Sequence, residues 1–233
     1  PYTSYYDAKV VRDFVALTQK LGFEPILLPF KPNGKAMHIK GFLARFSKTA
    51  KTQAEFLNRV AKLNVPLVGV DSAIVLSYRD EYKEALGDSR GDFHVLTAHE
   101  WLTNQLESNA LQSAVKNIAK SDRTFEWHLF PHCTESTFMP NSPKEWQHIF
   151  AQFGQTLNVE KVGCCGMAGV FGHEVQNQTM SKDIYDVSWG KKLQGKDPNH
   201  CLATGYSCRS QVKRYEKAIL KHPVQALLEV LNN

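Results

Sequence analysis

All five cysteines of this 233-residue chain, Cys133, Cys164, Cys165, Cys201 and Cys208, lie in its second half. Thiolate sulfur is the donor that soft metals and iron–sulfur clusters select. The run Cys164-Cys165-Gly166-Met167-Ala168-Gly169 reads as a tight turn, in which Gly166 and Gly169 would let backbone amides approach a bound cofactor. A disulfide between adjacent residues needs a strained ring, so thiol–disulfide catalysis by Cys164 and Cys165 ranks low. Cys133 and Cys208 each follow a strand-like run. Cys208 also opens a helix, where the dipole, the free amides and the neighbouring Arg209 favour the thiolate. Cys201, inside a strand-like run, fits either a small buried hydrophobe or a ligand.

His132, His173 and His200 flank the cysteine segments, at spacings that match no zinc knuckle. Of the three, His173 is the best candidate to support the site, since it follows the Cys164-Cys165-Gly166 turn. Arg209, Lys213, Arg214 and Lys217 share one helix face. That face is either simply solvated or, at Arg209 and Lys213, attractive to an anionic substrate or acidic partner. No residue of the chain is expected to be catalytic by itself.

These residues must be positioned by alternating strands and helices. In the first half, a helix is expected over 7–21, stopped by Gly22. A strand follows over 24–28, then a long helix over 37–63 and a strand over 66–70. Asp71 and Ser72 cap the helix that comes next. Residues 93–97 and a helix from Ala98 form a bridge. The second half repeats the order, with a strand over 125–130, a helix over 143–153, a strand over 159–162, the cysteine turn, a helix over 173–193 and a closing strand-turn-helix. Such alternation predicts an α/β fold of two pseudo-repeated halves, each a small mostly parallel sheet flanked by helices. Ser72 aligns with Cys208 at an offset of 136 residues and Gly34 with Gly166 at 132, giving segments 1–91, 92–124 and 125–233. Only the last carries thiolates. In the first, Asn33 and Ser72 stand at the matching positions, although Lys35, His38 and Lys40 could still touch a ligand. Loops at the carboxyl ends of parallel strands converge, so cysteines distant in sequence can meet there.

The chain is 42% hydrophobic and long enough to bury a core without cysteine staples. It has no apolar run long enough for a transmembrane segment and no signal peptide, so a reducing, cytoplasmic setting is expected. It opens on Pro1 without an initiator Met, which suggests a piece of a longer protein. Its net charge of +5 is spread without basic blocks, which points away from nucleic acid.

Cys133, Cys164-Cys165-Gly166 and a terminal cysteine in a duplicated α/β frame resemble the CCG cysteine-rich domain found in heterodisulfide reductases and in the iron–sulfur subunits of glycolate oxidases. The resemblance spans nearly the whole chain. Ser4-Tyr5-Tyr6-Asp7, Tyr78-Arg79-Asp80-Glu81-Tyr82 and Thr204-Gly205-Tyr206-Ser207-Cys208-Arg209-Ser210-Gln211 are similar to the C-terminal part of large FAD-linked oxidases of the D-lactate or D-2-hydroxyglutarate dehydrogenase type. It implies an electron-transfer domain holding an iron–sulfur cluster, [4Fe–4S] on five cysteines: Cys133, Cys164, Cys165, Cys201 and Cys208. Gly166, Gly169 and Arg209 would lie around that cofactor. FAD and ferredoxin-like domains would lie upstream in the same polypeptide, with peripheral contact to the inner membrane through a redox acceptor. The chain departs from the pattern at one point: the family's last two cysteines form C-x2-C, whereas six residues separate Cys201 from Cys208. Zinc is the alternative metal, and a zinc-stabilised docking module for the flavin domain the alternative function. The chain is not expected to turn over alone, since it has no Gly-rich nucleotide fingerprint.

Overall fold

The computed structural model describes residues 5–108, 110–111 and 124–232; Ser4 and residues 112–123 of the expected bridge lie outside them. The described elements run α1 (Ala8–Lys20), α2 (Lys35–Ile39), α3 (Leu43–Ala61), β1 (Leu67–Gly69), α4 (Ser72–Arg79), α5 (Glu81–Leu86), β2 (Val95–Thr97) and α6 (Ala98–Glu107). They continue with β3 (Glu126–Phe130), α7 (Cys133–Phe138), α8 (Ser142–Gln152), β4 (Thr156–Val159), α9 (Gln178–Tyr185), a π turn (Asp186–Gly190), α10 (Lys191–Leu193), β5 (Cys201–Ala203), α11 (Tyr206–Glu216) and α12 (Pro223–Asn232). The expected α/β architecture of two small parallel sheets flanked by helices is what forms. One sheet pairs β1 with β2, and the other has the order β4-β3-β5, every pairing parallel.

Period-2 alternation on β3 divides the second half into two cores. Trp127 and Leu129 face a large apolar cluster with Leu157, Leu202, Trp146, Phe150 and the α1–α12 pair, while Phe130 faces a smaller one with Cys201, Ala203, Cys165, Cys208 and Trp189. Each fully buried Leu or Phe in such a cluster contributes about 1.5–3 kcal/mol. On α1, Val10, Phe14 and Leu17 form one stripe at helical spacing, and it packs on α12. A third cluster joins α3, through Phe46, Ala50 and Leu57, to Leu67, Val75 and Val95 around the first sheet.

Four sequence expectations are corrected. Residues 24–28 form no strand: Pro25 lacks an amide donor, no described strand lies beside them, and Ile26 and Leu27 are 80% and 67% exposed. The helix over 37–63 is two helices, because Gly41 adopts φ 76° between α2 and α3. The strand expected at 159–162 forms earlier, at β4, where the chain leaves Gly154 directly into register with β3. The helix expected over 173–193 begins later, at Gln178 after two 3-10 turns, and runs without a break from α9 through the π turn into α10. The Asp71 cap forms as expected, its carboxylate accepting from the Ile74 amide at 3.2 Å.

Candidate functional site

Three strand-end loops deliver the cysteines. Cys133 begins α7 three residues past the end of β3, Cys164 and Cys165 follow β4, and Cys208 is the third residue of α11, just past β5. Four thiols lie within interaction range in series, Cys133 with Cys164, Cys164 with Cys165, and Cys165 with Cys208. Cys164 is drawn down to about 2, first by the bond from Cys133, then by that from Cys165 and by the Gly166 and Ala168 amides, against the opposing effect of burial. The Gly166 amide lies 3.3 Å from its sulfur. Cys208 is also drawn down, by the bond from Cys165 against burial, helped by His132, Ser207 and Arg209. The donors Cys133 and Cys165 are pushed up, first by their bonds to Cys164 and further by burial. The interactions among the four thiols thus favour the thiolate at Cys164 and Cys208 and disfavour it at Cys133 and Cys165.

The cysteine turn is held from behind. Gly166 has φ 84°, and a Cβ there would lie 2.1 Å from the Ser181 carbonyl oxygen, so the position demands glycine on two counts. The Ser181 hydroxyl donates to the Gly166 carbonyl at 2.7 Å, and Gln211 Nε2 donates to the Cys165 carbonyl at 3.0 Å. Gly169, also left-handed, packs against Ile39 of α2. At the head of α11, Gly205 lets the His132 ring lie against the backbone, where a Cβ would come within 2.5 Å of it. His132 is buried, its Nε2 3.4 Å from the Ser207 hydroxyl and its Nδ1 without a partner.

A cavity of about 320 Å³ opens beside the sulfurs, lined by Cys133, Cys164 and Cys165 together with His132, His173 and Lys35. His173 is shifted down by burial and by Arg214. The structure does not bring every candidate here. Cys201 is fully buried two residues before Ala203 on β5, about 7 Å back along the strand. Burial first, and then Glu160 and Asp197, push its thiol up to about 11 against the pull of Lys196. His200 stacks on Phe125 and Trp127 instead. Arg209 turns inward, donating to the Ala203 and Thr204 carbonyls at 2.7 and 3.1 Å and pairing with Asp7. Arg214 donates to the Gly172 carbonyl at 2.6 Å. In the first half, Lys35 pairs with Glu81 and Lys40 with Glu174 of the second half, while the His38 ring lies 4.8 Å from that of Phe46.

Sequence reasoning missed the polar core that seats α7. Glu135, 1% exposed, accepts from Ser72 at 2.8 Å and from Ser142, with His99 Nδ1 3.9 Å away. His99 Nε2 also reaches Glu145 at 3.3 Å. Ser72, which the offset of β1 to β5 places opposite Tyr206 rather than the expected Cys208, therefore ties the first half to the helix carrying Cys133. The available signal was Glu135 itself, a carboxylate inside an otherwise uncharged helix.

The donor set fits a thiolate-held group: soft sulfurs from three loops, beside an unpartnered buried imidazole nitrogen of His132. Among the described residues, no three His, Cys, Asp or Glu side chains surround a common point as a single ion would require. Fold and site thus define an α/β chain that gathers four cysteines at the carboxyl edge of a parallel sheet.

The chain is 82% identical over 231 residues to the D-2-hydroxyglutarate dehydrogenase of Haemophilus influenzae and 58% identical to that of Escherichia coli, matching 99% of itself in both. It spans 22% of the length of these relatives. It is also 21% identical over 234 residues to one of the subunits of the anaerobic glycerol-3-phosphate dehydrogenase of Escherichia coli, covering 57% of that protein. No protein-family model matches the chain. No described helix is long and apolar enough to cross a membrane.

Proposed function

We propose that the chain is the C-terminal electron-transfer region of a FAD-linked D-2-hydroxyglutarate dehydrogenase, with an iron–sulfur cluster on Cys133, Cys164, Cys165 and Cys208. The observation that carries this reading is the convergence of four interacting cysteines from three strand-end loops, three of them lining one cavity. The likeness to the D-2-hydroxyglutarate dehydrogenases supports the reaction. The likeness to a glycerol-3-phosphate dehydrogenase subunit supports a role as one part of a larger dehydrogenase.

When bound, such a cluster supplies one-electron transfer at a potential set by burial and by hydrogen bonds to sulfur. The chain's own residues prepare that environment. The Gly166 and Ala168 amides donate toward Cys164, Ser207 and the Arg209 charge favour the Cys208 thiolate, and Gln211 and Ser181 fix the turn. Gly169 lines the same cavity as Cys133, Cys164 and Cys165 and would stand beside the cluster there. FAD and ferredoxin-like domains elsewhere in the same polypeptide would deliver the electrons, in a cytoplasmic setting with peripheral access to a membrane acceptor.

Duplication belongs to the same proposal, with segments 1–91 and 125–233 as copies and 92–124 between them. Supporting it, α1 and α8 both end at a left-handed glycine, Gly22 and Gly154, and Gly34 and Gly166 share that conformation, all at an offset of 132 residues. The packing exchanges in step, α1 on α12 and α8 on α6.

The test is anaerobic purification of the full-length polypeptide, with iron, acid-labile sulfide and visible absorbance measured before and after adding D-2-hydroxyglutarate. Equal iron and sulfide, with an absorbance that the substrate bleaches, is the expected result. Stoichiometric zinc in a colourless protein would sink the cluster and favour the docking module.

A further inference from the structure

Strand β1 has β2 on one side and, among the described residues, no strand on the other. Beside β1 lies a cavity of about 280 Å³, lined by Leu67 and Val68 together with Leu28, Phe30 and Gln53. Gln53 is only 6% exposed, yet its Oε1 has no hydrogen-bond partner. Across the cavity, the segment from Glu24 to Leu28 has the composition of a strand and no ladder to join. An open strand edge beside exposed apolar residues is a template for another strand, and natural sheets rarely leave one uncovered.

The second half shows what would fill the gap. At the 132-residue offset, Glu24 to Leu27 coincide with β4, and at 134 β1 coincides with β5. Yet β4 and β5 are not neighbours, because β3 runs between them as the central strand. The counterpart of β3 at these offsets falls three to nine residues ahead of Pro1. The chain is also about a fifth of its relatives' length, which leaves ample polypeptide to supply that counterpart.

We propose that a β-strand from the polypeptide preceding this chain inserts between residues 24–28 and β1 as the parallel central strand of the first sheet. The proposal rests on the duplication. It makes α1 the crossover helix of a βαβ unit, as α8 is between β3 and β4, in the connection that parallel sheets use. A backbone amide of the inserted strand supplies the donor that Gln53 Oε1 lacks. Residues 24–28, held by no ladder, become the outer strand, and their apolar side chains gain a partner.

Hydrogen exchange on the full-length polypeptide tests this. The amides of residues 24–28 and of β1 are expected to exchange about 100-fold or more slower than exposed amides, like those of β3. Two prolines placed three to nine residues ahead of Pro1 should speed both segments about 10-fold or more and leave β3 unchanged, because proline cannot donate to a ladder. Two alanines at the same positions keep the donors and should preserve most of the protection. Unprotected β1 amides in the full-length polypeptide would overturn the proposal. So would protection that survives the prolines, since residues 24–28 or a second copy would then be pairing with β1 directly. Iron and sulfide measured on the same samples keep this outcome separate from that of the cluster.

Discussion

Replacing Gly166 with alanine tests whether the cysteine turn is held by close packing on α9 as well as by its backbone conformation. At φ 84° an alanine carries left-handed strain of about 1–2 kcal/mol. Its Cβ would also stand 2.1 Å from the Ser181 carbonyl oxygen, a backbone atom that no side-chain rotation can move aside. Forcing that contact apart adds about 1–3 kcal/mol, so the total loss is roughly 2–5 kcal/mol. Gly22 is the matched control, since it has φ 90° but nothing within 4 Å of the added Cβ. Gly22→Ala therefore carries the strain alone, about 1–2 kcal/mol. At about 2–4 °C per kcal/mol for a chain of this size, Gly166→Ala should lower Tm by roughly 5–15 °C and Gly22→Ala by roughly 2–6 °C. Thermal unfolding followed by tryptophan fluorescence reads the difference, with Trp127, Trp146 and Trp189 all buried. Equal losses in the two variants would refute the packing argument at Ser181.

Ser72→Ala removes a donor to buried Glu135 and should cost about 1–3 kcal/mol in urea unfolding. Its effect should be non-additive with that of Ser142→Ala, because both hydroxyls serve the same carboxylate. At Glu100, burial works to raise the carboxyl, but Arg79 and the Thr97 amide and hydroxyl outweigh it and hold the group at about 2. Because that folded value is depressed, its stabilising contribution of about 1–3 kcal/mol is present above an unfolded value near 4.5 and is lost as pH falls toward 2. Glu100→Gln should flatten the pH dependence of stability between pH 5 and pH 2, and an unchanged acid limb in chemical denaturation would remove this pair from the account.

Much of the frame was legible because its signals are local. Gly22 and Asp71 mark helix ends by their own backbone preferences, and the apolar runs around Leu67, Trp127 and Leu202 became strands. Residues 24–28 failed differently: their composition suits a strand, but pairing needs a neighbour, which local pattern cannot supply. Residues 173–193 kept a helical look, although burial of Trp189 coincides with a π turn that periodicity does not encode. At the site, the Cys164-Cys165-Gly166 turn announced itself through glycine. The sequence already set Cys208, opening a helix, apart from Cys201 inside a strand-like run; both are buried, but only Cys208 comes within range of Cys165. Arg209 next to a cysteine suggested an outward charge, whereas the Ala203 and Thr204 carbonyls and Asp7 claim it. Glu135 and His99 went unread because their partners come from both halves.

The central claim is that four of the five cysteines form one centre. Its most direct test is iron and acid-labile sulfide per polypeptide in five full-length variants, each with one cysteine changed to serine and each prepared without oxygen. The account predicts that Cys133→Ser, Cys164→Ser, Cys165→Ser and Cys208→Ser each lose most of both, while Cys201→Ser keeps them. Retention in any of the first four together with loss in Cys201→Ser, or no iron in the unsubstituted protein, would contradict it.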